Sequence, residues 1–302
     1  MDKVSIIIPT YQREVKYLER AIQSVLEQDY SNIEVVVVDD NKADSEFRKN
    51  VQKFMEKFSR ENKVIYVINK ENMGGALARN EGIKVATGQY ISFLDDDDKY
   101  LEHKVKNQIE FMKKNNLDMS FTELKLVNSK GDIVDYREFS NVKSFDNKEL
   151  LKYHILYHLT GTPTFMYKAD KLRAIGGFSD AKMGQEFYLM TKTIENNLRI
   201  GYLEKCDVIA YRHDEGGISQ GANKIKGEKN LYEFKKQYFH LFTASEKRYI
   251  KFRHFAVLAI AYKRNKKYGK MIEFLMKMFF VAPIVCLQEV CKMGLKLVKY
   301  KG

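Results

Sequence analysis

The sequence predicts an α/β protein: a mostly parallel central sheet flanked by helices, with a C-terminal helical extension. Three observations lead there. Over the first hundred residues, short β-branched runs alternate regularly with stretches of helical periodicity, the order that builds right-handed crossovers and a parallel sheet. The run Gly88 to Asp98, GQYISFLDDDD, takes a strand with no polar face straight into four carboxylates. From Lys224 onward there are nineteen Lys and Arg against five acids, +14, which leaves −2 for the first 223 residues.

The elements follow in order. Val4 to Ile8 is a β-branched run that Pro9 is expected to stop. Tyr17 to Glu27 places Leu18, Ala21, Ile22, Val25 and Leu26 on one helical stripe. Ile33 to Val38 is a second strand, ending in Asp39 and Asp40; Asp44 to Asn62 spaces Phe47, Val51, Phe54, Met55 and Phe58 as a helix. Val64 to Ile68 is a third strand, and Gly74 to Ala86 a helix entered through Asn72 and Met73. Tyr90 to Leu94 is the fourth strand. Beyond it the rhythm changes. Glu102 to Asn115 is helical, whereas Asp118 to Arg137 alternates like strands about a turn at Ser129, Lys130 and Gly131. Leu150 to Leu159 and Gly184 to Asn196 read as helices, and Thr164 to Tyr167 and Ile209 to Arg212 as strands.

The tail from Lys224 is helical by pattern. Tyr249, Phe252, Phe255, Ala256 and Ala259 form one stripe, and Phe274 to Leu287 is intensely apolar but broken by Lys277 and Pro283. About twenty apolar residues are needed to cross a bilayer, so this run is too short and too interrupted for a span. Two readings stay open: a basic amphipathic helix on an anionic membrane surface, or a helical hairpin packed on protein.

At 302 residues, 44% hydrophobic and 30% charged, the chain has the composition of a globular protein and not of a disordered one. Its charge of +12 belongs to the tail. No nucleic-acid motif accompanies that charge, so nucleic acid is not expected as a partner. Met1 to Thr10 has no basic leader and too short an apolar run for a signal peptide, so a cytoplasmic location is expected. Cys206, Cys286 and Cys291 lack metal-ligand spacing and are expected to be free thiols.

Parallel strands put their carboxyl ends on one side, where open α/β sheets bind ligands. Pro9 to Arg13, Asp39 and Asp40, Asn72 to Asn80, and Asp95 to Asp98 would therefore converge on one rim, with His213 closing the last strand. Adjacent carboxylates repel, and a hard divalent cation, Mg²⁺ or Mn²⁺, is the natural relief. An aromatic, an Arg and a cation-binding cluster suit a nucleoside diphosphate.

Taken together, VSIIIPTYQR, VVVVDDN, ENMGGALARNEG, YISFLDDDD and YRHDEGGIS resemble the family 2 glycosyltransferases of the GT-A fold, over roughly residues 3 to 220. The resemblance implies a nucleotide-sugar-binding half at 1–100, an acceptor-binding half of the same domain at 101–222, and the basic extension at 223–302. It implies that Pro9, Thr10 and Tyr11 border base and ribose, with Tyr11 stacking on uracil, and that Arg13 and Asn72 belong to the same nucleotide side. Asp39 would read uracil and Arg79 would sit near diphosphate or base. Asp95 would lie towards ribose and sugar with Asp96 on the same nucleotide side, Asp97 would be the direct metal ligand, and His213 a further ligand. GQEFYLMT at Gly184 to Thr191, after GGF at Gly176 to Phe178, resembles the family's acceptor-side motif. Its usual pair of acids reads Gln185, Glu186 here, which makes Glu186 the implied base. The usual later acid and Trp are Tyr188 and Met190.

The expected activity is an inverting transfer from a UDP-sugar to a hydroxyl of a saccharide or lipid-linked acceptor, in cell-surface polysaccharide assembly. Two alternatives have a physical basis. A sugar-phosphate nucleotidyltransferase would use a similar sheet but needs a Gly-rich phosphate loop after the first strand, and PTYQREVKY has no glycine. A catalytically degenerate scaffold at a membrane surface would need only the tail.

Overall fold

The computed structural model describes residues 1–139, 141–159, 161–212 and 222–286. Strands β1 (Val4–Thr10) and β2 (Ile33–Asp39) are buried almost throughout, which is why they read as unbroken apolar runs and not as alternating ones. Between them lies α1 (Val15–Leu26), and after β2 come α2 (Glu46–Met55) and β3 (Val64–Ile68). Then follow α3 (Gly75–Val85) and β4 (Tyr90–Phe93). β1 pairs in parallel with β2 on one side and β4 on the other, and β2 with β3. The chain thus winds outward in opposite directions from β1, so the topological switch point lies between β1 and β4.

Pro9 does not stop β1. The strand runs on to Thr10, pairing Pro9 with Val38 and Thr10 with Asp39. The ladder to β4 has already ended at Ile7 and Phe93, so a missing N–H at Pro9 breaks nothing on that edge. α3 can lie close over the sheet because of Gly82, where a Cβ would come within 2.5 Å of Ile7.

The chain continues through β5 (Lys99–Tyr100), α4 (Lys104–Lys114), β6 (Met119–Thr122), β7 (Leu124–Val127) and β8 (Ile133–Arg137). After α5 (Asn147–Tyr157) come β9 (Met166–Lys168), α6 (Ala169–Ala174), α7 (Gln185–Glu195), β10 (Ile200–Leu203) and β11 (Val208–Tyr211). The main sheet has seven strands in the order β10-β6-β9-β4-β1-β2-β3, with β9 antiparallel to both neighbours. A second sheet has the order β5-β11-β7-β8. The short elements β5, α6 and β10 were not foreseen: two to six residues carry too little periodicity to be read.

Two compact units emerge. One comprises Met1–Asn147, Leu159–Ala181 and Gln185–Arg212, and holds both sheets. The other gathers Lys148–His158, Lys182–Gly184 and the described residues after Arg212. Its described helices are α5, α8 (Ala222–Lys236), α9 (Ala244–Arg264) and α10 (Tyr268–Val281). The helical unit therefore recruits α5 from mid-chain, with Tyr157 packed 5.6 Å from Tyr249, a segment that a division at residue 223 leaves out. α9 opens on a capping box between Thr243 and Glu246. Cys206 and Cys286 are free; Cys291 lies outside the described residues.

Inside the helical unit, Lys235 Nζ lies 2.6 Å from His158 Nε2. Burial pushes Lys235 down to about 7, with Arg253 acting in the same direction and Glu228 against it. Between about 7 and the ordinary 10.5 the unfolded chain binds the extra proton, so stability should rise with pH across that window, by on the order of a few kcal/mol. Lys235→Met should flatten that rise and be the more stable protein at neutral pH. Thermal melts of both proteins across the window check this.

Candidate active site

The switch point is where the acidic run sits. β4 delivers Asp95 to Asp98 beside the end of β1, and Thr10 Oγ1 donates to Asp96 Oδ2 at 2.7 Å across the gap. Arg13 spans two of the acids, with Nη2 2.7 Å from Asp97 Oδ2 and Nε 3.3 Å from Asp96 Oδ1. Burial, then the charge of Asp97, raises Asp96 to about 7, although Arg13 and Thr10 pull the other way. Asp98 is pushed well above its ordinary range by burial and by Asp95 and Asp97, while accepting a hydrogen bond from the backbone of Tyr211 at 3.1 Å. The inner acids, Asp96 and Asp98, are thus buried structural members. Asp95, with 37% of its side chain exposed, and Asp97, with 15%, are the ones that reach solvent.

Arg20 of α1 supports the turn from below. It donates to the backbone oxygen of Asp97, and its guanidinium lies 3.7 Å from the Tyr211 ring centroid. Beneath β4, Lys104 is buried and donates to Ser92 Oγ at 2.6 Å and to Tyr100 Oη at 3.0 Å. Burial holds its pKa well below the ordinary value.

A second network fixes the neighbouring loops. Asp40 accepts from Asn69 Nδ2, Asn72 Nδ2, Met73 N and Gly74 N, all within 2.8–2.9 Å. One carboxylate therefore shapes the whole entry to α3, with Gly74 at φ +84° where a side chain would be strained. Asn41 Oδ1 accepts from Gln12 N at 2.7 Å, pinning a turn in which Gln12 has φ +49°. That turn holds Tyr11, half-buried and free of any hydrogen bond or ring contact among the described residues.

Arg79 of α3 joins Asp95 to α7. It pairs with Asp95, donates to Gly75 O at 3.0 Å and reaches Gln185 Oε1 at 2.9 Å. Glu186, the next residue, is half-buried in the first turn of α7.

The predicted residues thus divide. Tyr11, Arg13, Arg79, Asp95 and Asp97 stand on the rim, with Glu186 adjoining through Gln185. Thr10, Asn72 and Asp96 are on the rim too, but each holds another rim residue in place. Pro9 is the penultimate residue of β1. Asp39, the expected base reader, is 0% exposed. Its Oδ1 accepts from Asn41, and its Oδ2 accepts from Tyr66 at 2.6 Å beside Arg48 at 3.3 Å. In this structure it ties the end of β2 to β3 and α2. His213 lies outside the described residues.

Sequence reasoning missed Arg48, buried and donating to the backbone of Asp39, Asn41 and Asn69, and with it Arg20, Asn41 and Lys104. A charged residue on an amphipathic helix reads as solvent-facing, so nothing marks Arg48 or Lys104 as buried or Arg20 as half-buried. Asn41 is different, since an Asn directly after two strand-end acids is a recognisable loop anchor.

The family model for glycosyl transferase family 2 matches residues 5–175. An uncharacterized glycosyltransferase of Methanocaldococcus jannaschii is 28% identical over 215 residues, 70% of this chain and 72% of that protein. The putative teichuronic acid biosynthesis glycosyltransferase TuaG of Bacillus subtilis is 36% identical over 132 residues, 44% of this chain and 50% of its own length. Among solved structures, S. aureus TarS 1-349 in complex with UDP-GlcNAc aligns with a TM-score of 0.60 at 23% identity, covering 92% of this chain and 72% of that one. That likeness speaks for the fold, the GT-A arrangement of a mostly parallel sheet between helices. A family match over more than half of the chain agrees with motifs that meet at one sheet edge, and the chain belongs to glycosyl transferase family 2.

Proposed function

We propose that this glycosyltransferase moves a sugar from a UDP-sugar to a hydroxyl of a saccharide or lipid-linked acceptor, with inversion, in the assembly of a cell-surface polysaccharide. The observation that carries the proposal is the linkage Asp97–Arg13–Asp96 and Asp95–Arg79–Gln185 at the switch point, which sets two solvent-reaching carboxylates and two guanidiniums beside one another, with Glu186 next in sequence to Gln185. The name of the relative TuaG, which places it in teichuronic acid biosynthesis, supports the polysaccharide setting.

In this reading Tyr11 stacks on the uracil, and Arg13 and Arg79 lie along the diphosphate. Glu186 accepts the proton of the acceptor hydroxyl as that oxygen attacks the anomeric carbon opposite the departing UDP. One displacement without a covalent sugar intermediate gives single inversion. The donor atoms suit Mg²⁺ or Mn²⁺, being hard oxygens, and although no three acids or histidines converge among the described residues, such ions are commonly held by one or two carboxylates plus substrate phosphates. Asp97, with Asp95 beside it, would hold the ion, whose chemistry when bound is to offset charge on the leaving diphosphate. His213 is proposed as a further ligand on the family resemblance alone.

Incubating the protein with a panel of UDP-sugars and a divalent cation should release free UDP. Pyrophosphate formed from UTP and a sugar phosphate, without UDP release, would instead identify a nucleotidyltransferase. Tyr11→Ala should weaken UDP binding by about five- to tenfold, the scale of one lost aromatic stack, with little change in kcat. Calorimetric titration with UDP checks this. Attachment at the cytoplasmic face of a membrane belongs to the same proposal.

A further inference from the structure

α10 has two apolar faces and only one is covered. Phe274 packs inward, 5.3 Å from Tyr262 and 5.7 Å from Phe255 of α9. On the opposite face Ile272, Leu275, Met276 and Phe279 recur at helical spacing and are all exposed, and Phe280 beside them is 76% exposed. Singly exposed apolar residues are ordinary; a contiguous outward stripe marks an interaction surface.

The charges around the stripe say what it meets. No ionised residue interrupts it. Glu273, the single acid of α10, lies to one side and is engaged by both Lys270 and Lys277. At the turn that starts α10, Lys263, Arg264, Lys266 and Lys267 are all exposed, with no acid among them. A second copy of this chain would bring the same positive charge, and residues 287–302 are themselves basic, with Lys292, Lys296, Lys299 and Lys301 against Glu289. Either would meet the turn with repulsion. A surface that is anionic outside and apolar beneath satisfies turn and stripe together. At 1.5 Å per residue the helix is about 21 Å long, short of a hydrocarbon core of about 30 Å. No helix among the described residues is long and apolar enough to cross a membrane. The helix would therefore lie in the interface.

We propose that the outward face of α10 docks on an anionic lipid bilayer: Ile272, Leu275, Met276, Phe279 and Phe280 enter the acyl boundary while the 263–267 turn contacts headgroups. This gives the proposed membrane attachment its surface, yet it stands on α9 and α10 alone and does not depend on the nucleotide site.

The test is co-sedimentation of the full chain with vesicles of phosphatidylcholine alone or mixed with phosphatidylglycerol, at low and high salt. Wild type should sediment with the anionic vesicles, and less at high salt. Met276→Glu with Phe280→Glu, both at exposed positions, should weaken that binding by at least about tenfold. Replacing the four basic turn residues by Gln should remove the preference for anionic lipid, about a hundredfold at low salt. Melting temperature and UDP release from a UDP-sugar in water should be unchanged in both variants, so loss of docking is separable from loss of catalysis. Failure of wild type to sediment, equal sedimentation by the double-Glu variant, or a dimer in sedimentation velocity that this variant dissolves would each overturn the proposal.

Discussion

Asp97→Asn should lower turnover by about 10²- to 10³-fold, the scale on which a single oriented group stabilising transition-state charge is felt. Asp97 and Asp95 are the acids of the run that keep exposed side-chain surface, and Arg13 Nη2 sits 2.7 Å from Asp97. The amide preserves size and can still accept a hydrogen bond from Arg13. It removes the charge that a cation-bound diphosphate requires. The melting temperature should change little, because Asp96 and Asp98 are the more deeply buried acids of the turn. UDP release with saturating donor, run beside a thermal melt, measures both. A variant turning over near the wild-type rate would remove Asp97 from the mechanism.

Glu186→Gln should cost about 10²- to 10⁴-fold in kcat, the usual range for a lost general base, with the KM for donor nearly unchanged. The split matters. Glu186 has no part in the network that joins Arg79, Asp95 and Gln185, so its loss should leave donor binding alone. Gln185→Ala would behave differently, since it releases Arg79 on the nucleotide side; there KM for the donor should rise while kcat falls less. Initial rates over donor concentration distinguish the two. If Glu186→Gln instead raises KM at constant kcat, Glu186 binds substrate and the base lies elsewhere.

The β1–β4 edge was legible because its signals are local. Apolar runs that lead into Pro9 and Thr10, Asp39 and Asp95 need only the rule that parallel strands share a carboxyl end, and the structure joins the first and last of these through Thr10 and Asp96. What the pattern could not show is which member of each polar pair faces outward. Asp39 and Asp40 are neighbours on a buried strand end, and both turn inward, one to Tyr66 and Arg48 and the other to the backbone entering α3. The family likeness points to Asp39 as a base reader, and only its burial reveals the anchoring role. Similarly, β9 runs antiparallel in a sheet that the strand–helix rhythm made parallel, because three residues at Met166–Lys168 carry no sign of direction. The stripe on α10 was visible as an apolar run, but periodicity alone cannot tell a covered face from an open one.

Co-crystallisation with UDP and Mn²⁺ tests the central claim most directly. The account predicts uracil against the Tyr11 ring and the diphosphate between Arg13 and Arg79, with the cation on Asp97. Nucleotide bound away from the β1–β4 edge, or a diphosphate that touches none of these side chains, would contradict it.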